Sequence, residues 1–338
     1  MSSQSPATLG GVVVHWRDEE GLERLLAAWP ADFPLVVVDN SDSVPQSTDT
    51  VRAWLTVERP ESNLGFGGGV NRGLQRLRER TPGCRFLLIL NPDAAPEPGA
   101  VETLLSEAQE LGADDRCAGI APALRGEDGE TQHRWQLQPL PSALTLLGQI
   151  FFIGGERGPL ESPPRGTVVE QPAAAVLLLD LQRIADLGER FDDLFDELLG
   201  DLFDPGFFPA WFDDVDLARR LSRRGLHFRY APAARFFHAR GSSVPALGYG
   251  RFLWIYYRNL QRYLAKHHGA FWSWTTRALL PLSMVLRLTL LPLRKPTRAT
   301  SRSAAATGLL QVAVGAATGW RFPRAWAKTF SPRGPSRA

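Results

Sequence analysis

The chain predicts an α/β fold built on a parallel sheet, and three observations predict it. Apolar runs recur at Gly11-Val12-Val13-Val14, Leu35-Val36-Val37-Val38 and Phe86-Leu87-Leu88-Ile89-Leu90. Such unbroken runs suit strands covered on both faces, as parallel strands between helices are. Segments of helical spacing stand between them, Leu22, Leu25, Leu26 and Trp29 forming the first, and strands alternating with helical patterns make βαβ units. With 338 residues, 44% of them hydrophobic, the chain can bury a large core as two domains, or as one with an appendage. Cys84 and Cys117 form no disulfide framework and fit a reducing compartment. The polar stretch Met1 to Gly10 lacks the basic flank and apolar centre of a signal peptide.

Taken in order, the first strand ends in His15-Trp16 and leads to a helix over 19–29. The second strand ends in a carboxylate, Asp39, before Asn40 and Ser41, and Val51 to Val57 predicts a third, shorter strand. Glu61 to Gly73, with Gly65, Gly67, Gly68, Gly69 and Gly73, opens a helix. Glycines at a helix N-terminus let backbone N–H groups approach a diphosphate. A dinucleotide fingerprint would follow the first strand directly and precede its acid. Here the glycines come after the third strand and Asp39 precedes them, which disfavours a nicotinamide dehydrogenase.

The fourth strand must stop at Pro92, which has no ladder donor. Asp93 then sits at the carboxyl end of a central strand, where open α/β sheets bind ligands. A carboxylate held there suits a divalent cation carrying phosphates, although Asn91-Pro92-Asp93 is also an ordinary turn sequence. Beyond it the pattern predicts a helix over 98–111, a short strand at 119–122, and a loop-rich stretch over 125–165 with an apolar piece near 144–153. A strong strand follows at 173–179, then an acidic helical excursion over 186–204. Asp213, Asp214 and Asp216 occupy the first turn of a helix ended by Gly225, where acids complement the dipole. Asp216 can also pair with Arg220 one turn on. Capping explains one or two of these acids and leaves a third over. A last strand over 228–235 leads to His238, a core histidine or a metal ligand whose imidazole would favour Mn²⁺.

Charge divides the chain. Residues 1–216 hold 16 basic and all 36 acidic side chains, 16 − 36 = −20, whereas residues 217–338 hold 22 Lys and Arg and no acid. Such asymmetry points to an anionic partner surface. No nucleic-acid motif accompanies it, and the interleaved aromatics suit a membrane interface better. Leu253, Tyr256, Tyr257, Leu260, Tyr263 and Leu264 predict an amphipathic helix with Arg251, Arg258, Arg262 and Lys266 opposite. Phe271 to Leu293 is long enough to cross a bilayer, but Arg277, Arg287, Pro281 and Pro292 interrupt it. It fits helices lying in the interface, or an ordinary packing domain. A small-residue segment, 304–319, precedes a basic tail.

Five stretches in order carry a resemblance: Val36 to Ser41, Asn63 to Asn71, Leu90-Asn91-Pro92-Asp93, Phe208 to Leu217, and His238 to Ser242. Together they resemble the family 2 glycosyltransferases, nearest the rhamnosyltransferase-like and galactofuranosyltransferase-like branch, over about residues 10–265. The resemblance implies a GT-A fold over 9–245, with a donor half to about 125 and an acceptor half from 126, followed by a membrane-associating helical region over 246–338. It implies inverting transfer from a nucleotide-diphosphate sugar (dTDP- or UDP-linked) to a hydroxyl of a glycan or polyprenyl-linked acceptor, with Mg²⁺ or Mn²⁺, at the cytoplasmic face of the membrane. By position, Asp214 is implied as the base, Asp93 and His238 as metal ligands. Asp39, Asn63, Gly65, Phe66, Asn71, Asn91, Trp211 and Asp213 are implied at the substrates. Three departures stand against the family pattern: Asp213-Asp214 for Glu-Asp, Phe203-Asp204-Pro205 for Phe-Asp-Glu, and His15-Trp16 for Tyr-Asn. The departure at Pro205, together with Asn91 standing where the family's Asp-x-Asp has its first acid, leaves room for a non-catalytic scaffold of the same fold.

Overall fold

The structure is a computed structural model that describes residues 9–48, 52–151, 155–188, 201–240, 246–293, 296, 298–321 and 326. Most of the acidic excursion expected over 186–204 lies outside these residues, as do Gly241, Ser242 and most of the basic tail. In chain order the elements are β1 (Leu9–His15), α1 (Glu19–Ala28), β2 (Leu35–Asp39), β3 (Leu55–Glu58), α2 (Gly65–Arg80), β4 (Phe86–Leu90), β5 (Ala94–Pro96), α3 (Ala100–Leu111) and β6 (Cys117–Arg125). There follow α4 (His133–Gln136), β7 (Leu137–Gln138), α5 (Ala143–Ile150), β8 (Val168–Val169), β9 (Gln171–Pro172), β10 (Val176–Asp180) and α6 (Leu181–Gly188). A 3₁₀ turn at Pro205–Phe207 leads to α7 (Asp213–Ser222), β11 (His227–His238), α8 (Tyr249–His267), α9 (Ala270–Leu290) and α10 (Arg302–Thr318).

One sheet has the order β3-β2-β1-β4-β10-β6-β11-β5, with β8 on β11. The first four strands are parallel, as the apolar runs predict. Beyond the parallel strands expected, the sheet also holds antiparallel ones: β10 runs antiparallel to both β4 and β6. The chain enters β10 beside the end of β4, where Asn91 N–H donates to Ala175 C=O at 2.8 Å. It leaves beside the start of β4, where Leu181 N–H donates to Arg85 C=O at 2.8 Å. A strand buried on both faces reads alike in either direction, so its sequence carries no sense of direction. The consequence is one rim where the ends of β1, β2 and β4 meet the start of β10.

Alternate side chains of the central strands feed two cores. Val12, Val14, Val36 and Val38 pack with Val70, Leu74 and Leu77 of α2. Val13 and Val37 pack with Leu22, Leu25 and Trp29 on the side of α1, where Val101 and Leu104 of α3 join them. The α2 glycines serve this packing: a Cβ on Gly69 would stand 2.7 Å from a Val14 methyl, and one on Gly73 would overlap Val12. Close helix-to-strand approach accounts for Gly69 and Gly73. A third core joins Leu146 and Ile150 of α5, Phe207 and Phe212 to Ile255, Leu260 and Tyr263 of α8 and to α9 and α10. It runs without a break across residue 246.

Candidate active site

Asp93 and His238 are brought together by sheet register. The pairing of β5 with β11 sets His238 opposite Ala94, and Ala239 N–H donates to Asp93 C=O at 3.1 Å. Both side chains are buried, with Asp93 Oδ1 3.6 Å from His238 Nε2. That distance is too long for a hydrogen bond. Gln132 explains why: its amide Nε2 donates to His238 C=O at 2.8 Å, so its Oε1 faces His238 Nδ1, also at 2.8 Å. A carbonyl only accepts, which fixes the amide's orientation and requires the proton on Nδ1. In the neutral ring, Nε2 therefore turns a lone pair toward a carboxylate oxygen. Burial lowers the His238 pKa, against a smaller opposing effect of Asp93, so the ring is held neutral. Trp135 stacks on it with centroids 5.3 Å apart.

Two facing acceptors with a gap between them are a donor set that fits a divalent cation. Among the described residues no group of three or more His, Cys, Asp and Glu is arranged to hold a metal. Protein would thus contribute two ligands, leaving the other positions to phosphate oxygens and water, as is usual for Mg²⁺.

The second cluster sits where the chain enters α7. Trp211 and Phe212 both have positive φ, 71° and 70°, which is strained for bulky side chains. Asn259 of α8, fully buried, holds this turn: its Nδ2 donates to the carbonyls of Phe207 (2.6 Å), Ala210 (2.8 Å) and Trp211 (3.2 Å). Arg258 donates to Phe208 C=O at 3.1 Å. On the other side Phe66 N–H donates to Pro209 C=O at 2.6 Å. Gly65 at φ 72° passes so close that a Cβ would lie 2.8 Å from that oxygen. The turn is thus gripped between α2 and α8, and it delivers Asp213 and Asp214.

These neighbours differ. Asp214 is half-buried, its Oδ1 accepting from Val215 N–H at 2.8 Å and its Oδ2 from Ala174 N–H at 3.3 Å. Burial raises its pKa, against those bonds. Asp213 is buried against Gly67, with no partner for Oδ2 among the described residues. Burial, then the charge of Asp214, raises its pKa well above the carboxylate range.

A cleft of about 660 Å³ is lined by Asp93, His238, Asp213 and Asp214 together. Asn63, Gly65, Phe66, Asn91 and Trp211 also line it, as do Trp16 and Asn40. Trp211 meets Phe252 edge-on at 4.9 Å. Two residues expected at the substrates lie elsewhere. Asp39 is buried, its oxygens accepting from Ser41 N–H and Val44 N–H at 3.0 and 2.8 Å, where it ties the loop after β2. Asn71 bonds Phe203 N–H and C=O at 2.9 and 2.8 Å, anchoring the chain that leads to α7. Asn40 instead grips the glycine segment, through Gly65 C=O and Leu64 N–H at 3.0 Å each. Reading the sequence missed Gln132 and Asn259. Only the polar interruption of an apolar helix face could have flagged Asn259, and nothing local flags Gln132.

Residues 19–158 match the family model described as glycosyl transferase family 2. Two curated relatives are similar over most of their length. The N-acetylglucosaminyl-diphospho-decaprenol L-rhamnosyltransferase of Mycobacterium tuberculosis is 26% identical over 295 residues, 80% of this chain and 90% of that one. The rhamnosyltransferase WbbL of Escherichia coli is 24% identical over 262 residues, 75% and 92% of the two chains. Among solved structures, a mannosyltransferase of Pyrobaculum calidifontis in complex with GDP-Man and Mn²⁺ aligns with a TM-score of 0.48 and 18% identity, covering 94% of this chain and 91% of that one.

Proposed function

We propose that the chain, whose residues 19–158 match the glycosyl transferase family 2 model, is a GT-A enzyme of that family: a metal-dependent, inverting rhamnosyltransferase acting at the cytoplasmic membrane face. The donor is a dTDP- or UDP-linked sugar and the acceptor a hydroxyl of a lipid-linked or cell-surface glycan. The names of the two relatives support rhamnose, and the mycobacterial one supports a polyprenyl-diphosphate acceptor. The observation that carries the reading is that one cleft takes Asp93 and His238 into its wall together with Asp214.

Asp93 and His238 would hold Mg²⁺ or Mn²⁺, and the bound cation would offset charge growing on the departing diphosphate. Asp214 faces the acceptor hydroxyl and takes its proton as the oxygen bonds the anomeric carbon; the nucleoside diphosphate leaves on the opposite face, inverting the centre. Because burial raises its pKa, Asp214 is a stronger base than an exposed carboxylate. Its two backbone donors fix its orientation. Asn63 and Asn91 contact the donor, while Trp211, braced by Phe252, stacks on an acceptor sugar.

Thermal-shift titration of nucleotide-sugars with Mn²⁺ tests the substrate class. A matching donor raises the melting temperature because only the folded state binds it. No shift with any dTDP- or UDP-sugar would contradict the reading.

A further inference from the structure

Helix α9 is apolar on both sides. Its inner side packs Leu280 and Met284 into the third core. Its outer side exposes Phe271, Trp274, Leu282, Val285, Leu286 and Leu290, each between 41% and 72% accessible. These positions, with Ala278 between, follow the three- and four-residue steps of a single stripe. The helix has 21 residues, so the stripe runs for about 30 Å, and Leu310 and Val314 of α10 are exposed as well. An outward helix face on a soluble protein ordinarily carries charge. Of the stripe's exposed positions only Thr289 is polar.

At the N-terminal end of the stripe, Trp274 and Arg277 also line a basin of about 1250 Å³. Its rim includes Arg220, Arg223, Arg258, Arg262 and Lys266. Asp204 pairs with Arg262 and Lys266, and Asp216 with Arg220 and Lys266. Arg223 and Arg277 instead donate to the carbonyls of His267 and Ala316, contacts that orient a guanidinium without neutralising it. The basin is left with excess positive charge. No acidic residue occurs anywhere from 217 to 338.

We propose that the outer face of α9 and this basin form one docking surface for an anionic lipid bilayer, the stripe lying in the interface and the basin taking lipid phosphates. Apolar surface and adjoining cations are the two requirements of an interfacial helix on anionic lipid. A second copy is the poorer occupant, because it would press two acid-free, cationic rims together. None of the described helices is long and apolar enough to cross a membrane, which agrees with a helix lying flat. Just past the stripe, Arg298 lines the catalytic cleft and stacks over Phe252 at 5.0 Å. The chain thus passes from the proposed surface to the cleft within a few residues, as access for a polyprenyl-linked acceptor would require.

Flotation of the full chain with vesicles tests this. It should float with phosphatidylcholine–phosphatidylglycerol vesicles and at least tenfold less with phosphatidylcholine alone. Leu282→Glu/Val285→Glu, at exposed positions, should lower flotation at least tenfold with the circular dichroism unchanged. Arg223→Ser should weaken it about fivefold, as one basic contact would. Asp214→Asn should float like the parent, which separates this surface from the catalytic reading. Equal flotation on neutral and anionic vesicles, or flotation unchanged in the Leu282/Val285 variant, would overturn the proposal. So would a parent that never floats but is dimeric, and that this variant makes monomeric.

Discussion

Asp214 and Asp216 stand two residues apart on α7, and the two sides of that helix hold them in opposite electrostatic states. On the cleft side Asp214 has backbone donors and no cation partner among the described residues, and burial raises its pKa. On the other side Asp216 is fully buried, yet its pKa is pulled down to about 2. There His267 Nε2 lies 2.7 Å away, Lys266 Nζ 2.8 Å and Arg220 Nε 2.8 Å. Burial penalises both; pairing decides the sign. One acid is left chemically poised, and the other fastens α8 to the helix that carries it.

The largest expected effect breaks the cleft side. Asp214→Asn should lower turnover by about 10²-fold or more. A steady-state assay on the matched nucleotide-sugar measures it, and unchanged turnover would take the base role away from Asp214. Next comes the paired side. Asp216→Asn leaves Arg220, Lys266 and His267 without their buried anion and should cost about 3 kcal/mol in urea unfolding, as breaking a buried pair does.

The pH dependence sharpens the same contrast. A depressed carboxylate contributes stability above its unfolded value near 4, and loses it as pH falls through the folded value. Acid unfolding of the parent should therefore show a loss of about 2 kcal/mol between roughly pH 4 and pH 2 that Asp216→Asn lacks. Asp214 has the opposite sign: the acid limb of kcat/KM should lie above the ordinary carboxylate value of about 4.

A smaller effect is expected at Gln132. Gln132→Leu frees His238 to place its proton on either nitrogen, and Mn²⁺ affinity by calorimetry should fall about 10- to 100-fold. In the parent, nitrogen NMR of the metal-free ring should report the Nδ1–H tautomer; an Nε2–H ring would contradict the assignment.

Much of this was legible in the sequence because apolar periodicity records burial. The runs at 11–14, 35–38 and 86–90 lie within β1, β2 and β4, and Pro92 follows the end of β4. Asp216 and Arg220 pair one turn apart as their spacing allows. Direction was not legible, since Val176 to Leu179 is apolar whichever way it runs. The close packing of Gly69 and Gly73 against β1 was not legible, because a flexible backbone and a close-packed one have the same composition. Asp39 and Asn71 read as substrate contacts because a polar residue at a strand end or within a glycine-rich helix start looks the same whether it faces a ligand or ties a loop. Gln132 and Asn259 act on residues more than 45 positions away, and such contacts leave no local pattern.

The central claim is that one cleft divides donor binding from proton removal, between Asp93 with His238 and Asp214. Calorimetric titration of the matched nucleotide-sugar, with and without Mn²⁺, tests it on two variants. Asp93→Ala should lose Mn²⁺-dependent binding, while Asp214→Asn should bind as the parent does. Donor binding that survives in the first variant and disappears in the second would contradict the account.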